Sequence, residues 1–64
     1  MKIEILIVDD HSMIREGLRH MLESHKGKYI FLIDEADSGE AGIAAIKKND
    51  YNMVLMDYQM PGLN

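Results

Sequence analysis

Apolar positions along this chain fall into two alternating kinds of run. Ile3-Glu4-Ile5-Leu6-Ile7-Val8 is rich in β-branched residues and almost continuously apolar. Such a run over 3–8 predicts a strand buried on both faces, as in a parallel sheet. Ile14, Leu18, Met21 and Leu22 then recur at i, i+4, i+7 and i+8, one stripe of a helix. Ser12 is placed to cap that helix and Glu16 to sit near its positive end, while Gly27 stops it with His25 and Lys26 in the last turn. Residues 29–33 form a second β-prone run, and Ser38-Gly39-Glu40 starts a second helix whose narrower apolar face is Ile43, Ala44 and Ile46. Gly42 lies inside that helix and costs it about 1 kcal/mol relative to Ala. Asn49, Asp50 and Asn52 mark a boundary before a third strand over 53–56, and Pro61-Gly62 signals a loop.

The resulting order is β-α-β-α-β. Strands alternating with helices imply a parallel sheet with right-handed crossovers, an α/β architecture. The first and third strands both run into acid, Asp9-Asp10 after Val8 and Asp57 after Met56. In one parallel sheet these carboxylates meet at the carboxyl edge, where open α/β sheets bind ligands.

Composition narrows the partners. Sixty-four residues make at most one small domain, which buries roughly 60% of its unfolded surface. With 47% apolar residues the chain is not disordered by composition. A net charge of -4, with Arg15, Arg19, Lys47 and Lys48 scattered, argues against direct nucleic-acid binding. The apolar runs are far shorter than a membrane span, no signal peptide is legible, and there is no cysteine. A cytoplasmic protein without membrane contact is the expectation.

Three clustered carboxylates are electrostatically costly. Two of them about 6 Å apart repel by roughly 3 kcal/mol at an effective dielectric near 20. The cluster therefore needs either a cation among the acids or a proton on one of them. Mg²⁺ suits the first solution, since it takes one or two carboxylates and pairs with phosphate oxygens. A carboxylate beside that ion can attack phosphorus and become an aspartyl phosphate. Taken singly, Asp9 or Asp10 reads as an acid that merely ends a strand. The joint placement of all three at matched strand ends is what points to chemistry.

The residues also carry a family likeness. Ile5-Leu6-Ile7-Val8-Asp9-Asp10-His11, Arg15-Glu16-Gly17-Leu18 and Val54-Leu55-Met56-Asp57-Tyr58-Gln59-Met60-Pro61-Gly62 resemble the receiver domain of bacterial two-component response regulators, most of all its NarL/FixJ-like branch. The resemblance implies a flavodoxin-like (CheY-like) receiver fold, here β-α-β-α-β with parallel strands ordered 2-1-3. It implies that Asp57 is the phosphoacceptor and Asp10 a direct Mg²⁺ ligand. Asp9 would hold metal-bound water, and the Gln59 main-chain carbonyl would complete the protein ligands. The phosphodonor would be a sensor histidine kinase, and the domain would be a phosphoacceptor rather than an enzyme in the ordinary sense.

The likeness covers only part of the family's pattern. Receivers use a hydroxyl residue ending a fourth strand and a lysine ending a fifth, and neither occurs among residues 1–64. The expectation is the N-terminal part of a receiver domain, truncated by nature, by design or by proteolysis, without the output domain. An apolar third strand left at a sheet edge then favours a two-fold dimer, through third strands or exposed sheet faces. The alternative function is a non-catalytic, self-associating interaction module. A haloacid-dehalogenase-like phosphatase is set aside, because Gln59 stands where that family wants a second Asp. His11 reads as solvent-facing rather than a metal ligand, since Mg²⁺ prefers oxygen. His20 and His25 read as helix-surface residues, the methionines as core filler, and Met60 as a loop-shaping residue. Asp34, Glu35 and Asp37 read as a solvated acidic turn.

Overall fold

β1 (Lys2–Val8) lies at the centre of a three-stranded parallel sheet, with β2 (Ile30–Ala36) on one side and β3 (Met53–Met56) on the other. The computed structural model describes residues 1–57. Its strand order is β2-β1-β3, and α1 (Ser12–Glu23) and α2 (Gly39–Lys48) make the two crossovers. This is the architecture expected of the β-α-β-α-β pattern.

β1 is central because it can be buried on both faces. Ile5 and Ile7 point to the α1 side, where they pack with Ile33, Leu18, Leu22 and Leu55. Leu6 and Val8 point to the other side and pack with Ala36, Ala41, Ala45 and Tyr51. All four β1 side chains are fully buried, as the uninterrupted apolar run requires. Register follows from this alternation, with Ile5 opposite Ile33 and Met53, and Val8 opposite Ala36 and Met56.

The helices depart from the sequence expectation at their ends and on their faces. Ser12 is the first residue of α1, not its cap. His11 holds the cap position in extended conformation (φ -101°, ψ 107°) and gives no side-chain cap bond to the helix. Glu16 lies beyond the first turn, which holds no acid. α1 ends at Glu23, so Gly27 does not stop it, and His25 and Lys26 lie past its end, leaving His20 as the basic residue of the last turn. The Ser24 N–H reaches the His20 carbonyl and the His25 N–H the Leu22 carbonyl, so the last turn is closed locally without glycine. Of the α1 stripe only Leu18 and Leu22 pack on the sheet, while Ile14 and Met21 are exposed.

α2 begins as the sequence indicates, with the Ser38 hydroxyl accepting from the Ala41 N–H at 3.1 Å. Its buried face, however, is made of small residues. Gly39 and Gly42 are buried and Ala41 and Ala45 pack on the core, whereas Ile43 and Ile46 are 48% and 44% exposed. A Cβ on Gly42 would lie 2.9 Å from Val8 Cγ2 and 3.1 Å from its Cγ1. The helix therefore sits so close to β1 that its isoleucines are turned outward.

β2 runs three residues further than expected, so Asp34 and Glu35 belong to a strand and not to a turn. Asp34 accepts a hydrogen bond from the Tyr51 hydroxyl at 2.6 Å. Glu35 receives Arg15 Nε at 3.1 Å and is also paired with Arg19, which tie α1 to the edge strand.

Candidate functional site

The acids meet because the sheet ladder continues past the strand ends. The Asp9 N–H donates to the Ala36 carbonyl at 3.0 Å, and the Asp57 N–H donates to the Val8 carbonyl at 3.1 Å. Asp57 is thereby carried to the same level of the sheet as Asp9. Asp9 is buried, Asp10 exposed and Asp57 intermediate. Single ligand atoms of Asp9, Asp10, His11 and Asp57 all lie within 4.8 Å of one another. The sequence expectation that the three carboxylates share one sheet edge is met.

Asp9 is held from three directions. Its N–H is on β2, its main-chain carbonyl accepts from Arg15 Nη1 at 2.6 Å, and its Oδ1 accepts from the His11 N–H at 2.8 Å. That last bond is the main reason its carboxyl is held below the ordinary 3.8. Burial opposes it, and the His11 ring and Arg15 add to it.

His11 faces solvent as expected, with its side chain 60% exposed, and its Nδ1 also lies 2.8 Å from Asp9 Oδ1, 2.8 Å from Asp10 Oδ1 and 3.9 Å from Asp57 Oδ2. Its pKa is raised above 6.5, first by the hydrogen bond to Asp9 and then by the Asp10 charge, against a desolvation penalty, with Asp9 and Asp57 adding further attraction. The ring bridges the acids at their solvent mouth. The available signal was position, since His11 directly follows Asp9-Asp10 at the helix cap.

An open cleft of about 420 Å³ is lined by Asp9 and Asp57 together with Leu18 of α1 and Leu55 of β3. The donor set fits Mg²⁺: three carboxylates, one of them buried, with side-chain oxygens converging from two strand ends. Gln59, expected to add a carbonyl ligand, lies outside the described residues, as do Met60 and Pro61. No helix among the described residues is long and apolar enough to cross a membrane.

Comparison with known proteins bears on the same residues. A model of the response regulator receiver domain matches residues 5–64. The response regulator UvrY of Escherichia coli (strain K12) is 43% identical over 61 residues, 95% of this chain and 27% of its own length. The response regulator GacA of Pseudomonas syringae pv. syringae (strain B728a) is 38% identical, covering 95% of the chain and 28% of its own length. The nitrate/nitrite response regulator protein NarL of E. coli (strain K12) is 37% identical over 94% of the chain and 27% of its own length. The chain thus spans about a quarter of the length of these curated relatives. No solved structure matches it.

Proposed function

The chain belongs to the response regulator receiver domain family, and from that premise we propose that Asp57 accepts a phosphoryl group in a two-component phosphorelay. The observation that carries this reading is the placement of Asp57 beside Asp9 and Asp10 at one sheet edge, on residues matched by the family.

The donor is a phosphohistidine on a sensor histidine kinase. An Asp57 carboxylate oxygen forms the new bond to phosphorus as the phosphorus–nitrogen bond breaks, and the imidazole leaves with its electron pair. Asp10, Asp57 and the Gln59 main-chain carbonyl would hold Mg²⁺ directly, and Asp9 would hold it through metal-bound water. When bound, that ion offsets charge on the transferring group. Asp9 is pre-set for this task, because its backbone is fixed by β2 and Arg15 before any ligand arrives. The acyl phosphate then shifts a two-state equilibrium of the intact domain.

Residues 1–64 are read as the N-terminal part of such a domain, acting in the cytoplasm on the output of a kinase and not on nucleic acid directly. Self-association through β3 or an open sheet face accompanies this reading, and exposed Met53, Val54 and Met56 support it. The alternative of a purely non-catalytic interaction module has no observation in its favour.

Intact-mass measurement after incubation with Mg²⁺ and acetyl phosphate tests the acceptor. The intact domain should gain one phosphoryl group and its Asp57→Asn variant should not, while the 64-residue chain should take it up only inefficiently. Equal uptake by the variant and the wild-type intact domain, or none by that wild type, overturns the assignment of Asp57.

A further inference from the structure

Resting on the reading of Asp9, Asp10 and Asp57 as the Mg²⁺ pocket, we infer that Arg15, braced by Glu35, is a positioning residue for that pocket. It fixes the peptide unit that joins Asp9 to Asp10, and so raises Mg²⁺ affinity although it is itself a cation.

Both main-chain polar groups of Asp9 are tied to consecutive residues of the edge strand β2. The N–H donates directly to the Ala36 carbonyl at 3.0 Å. The carbonyl accepts from Arg15 Nη1 at 2.6 Å, and Arg15 Nε in turn donates to Glu35 Oε1 at 3.1 Å. That carbonyl lies in the same planar peptide unit as the Asp10 nitrogen, since the two residues are adjacent. Holding the plane restrains ψ of Asp9 and φ of Asp10 together. One guanidinium outside the pocket thus steadies two of its acids.

The strut is built for this and is not a loose surface pair. The side chains of Arg15 and Glu35 are only 18% and 22% exposed. The two contacts of Arg15 use different nitrogens of one rigid planar fork, which a lysine ammonium lacks. Glu35 divides its oxygens, Oε1 to Arg15 and Oε2 to Arg19. Arg19 reaches the Ile33 carbonyl instead of Asp9, so the two arginines share a brace but not a target.

Charge and position make opposite predictions. A guanidinium beside a cation pocket repels the ion, so on charge alone its removal tightens Mg²⁺. A group that orients metal-binding residues without touching the ion is worth about 10–100-fold in affinity, so on position its removal weakens Mg²⁺. The pocket opens to water at Asp10 and His11, which screens the repulsion. The 2.6 Å hydrogen bond to the Asp9 carbonyl is direct, and position prevails.

Titration of the 64-residue chain with Mg²⁺, followed by backbone amide NMR, reads the sign. Arg15→Met should weaken binding by about tenfold. Arg19→Met removes an equal charge from the same helix and the same acid, and should bind Mg²⁺ as the wild type does. Tighter or unchanged binding by Arg15→Met, or equal weakening by Arg19→Met, overturns the positioning role while leaving the pocket standing. A wild-type chain that does not bind Mg²⁺ overturns the cation reading of the acids and this inference with it. Should Arg15→Met fold poorly, Arg15→Lys keeps the charge and gives up the fork. Weaker Mg²⁺ binding by that variant supports the positioning role, and wild-type affinity overturns it.

Discussion

Gly42 sets two residue-level effects against each other. Helix propensity favours Ala over Gly by about 1 kcal/mol. Against that, the new methyl would stand 2.9 Å from a branched carbon of Val8, which is fully buried and stiff at χ1. Overpacking of this kind costs about 1–3 kcal/mol. Gly42→Ala should therefore lower stability by about 1 kcal/mol, read as a lower urea midpoint at unchanged slope. A higher midpoint would mean that α2 can lift away from β1. His11 teaches a related lesson. Its side chain faces solvent, as ligand preference indicates, and the local chain path also brings Nδ1 to 2.8 Å from two carboxylates. Residue type was legible for both positions, whereas the direction of approach depends on tertiary contacts.

At the scale of elements, strands were more legible than helix faces. β1 is specified by an unbroken apolar run that only a doubly covered strand can satisfy. The α2 face was misread because hydrophobicity pointed to Ile43 and Ile46, while close packing selected Gly39, Gly42 and Ala45. The acids of β2 were misread because their partners are remote in sequence: Arg15, Arg19 and Tyr51 turn apparent turn residues into strand residues. Glu35→Gln should lower the urea midpoint, since it leaves two guanidinium groups facing each other without their shared acid. That loss should shrink as salt rises, because much of it is screened charge repulsion. An equal loss at low and high salt would assign it to packing instead. Tyr51 gives a pH test. Its hydrogen bond to Asp34 is the main cause that raises its pKa above 10.0, with burial next. A raised folded value means its contribution is complete below pH 10.0 and is lost as pH climbs through the folded value. Alkaline unfolding curves of wild type and Tyr51→Phe should therefore differ in slope above pH 10.0. Parallel curves would remove Tyr51 from the account.

For the whole molecule, the acidic edge and the apolar surfaces are distributed unequally. Three strands suffice to bring Asp9 and Asp57 together, because they directly follow β1 and its neighbour β3. The same three strands leave β3 lightly covered. Val54 and Met56, 37% and 42% exposed, share the α2 side of the sheet with the outward-turned Ile43 and Ile46. Met53 is exposed on the opposite side, as are Ile14 and Met21 of α1. Exposed apolar side chains on both faces of an edge strand favour association, and the two faces can be told apart. Sedimentation of the chain at micromolar concentration should give a dimer. Val54→Lys with Met56→Lys should dissociate it if the α2 faces meet, and Met53→Lys should do so if the α1 faces meet. A dimer that survives both changes is joined by backbone pairing of β3 strands, since that contact does not depend on either face. A monomer at micromolar concentration would refute self-association in all three forms.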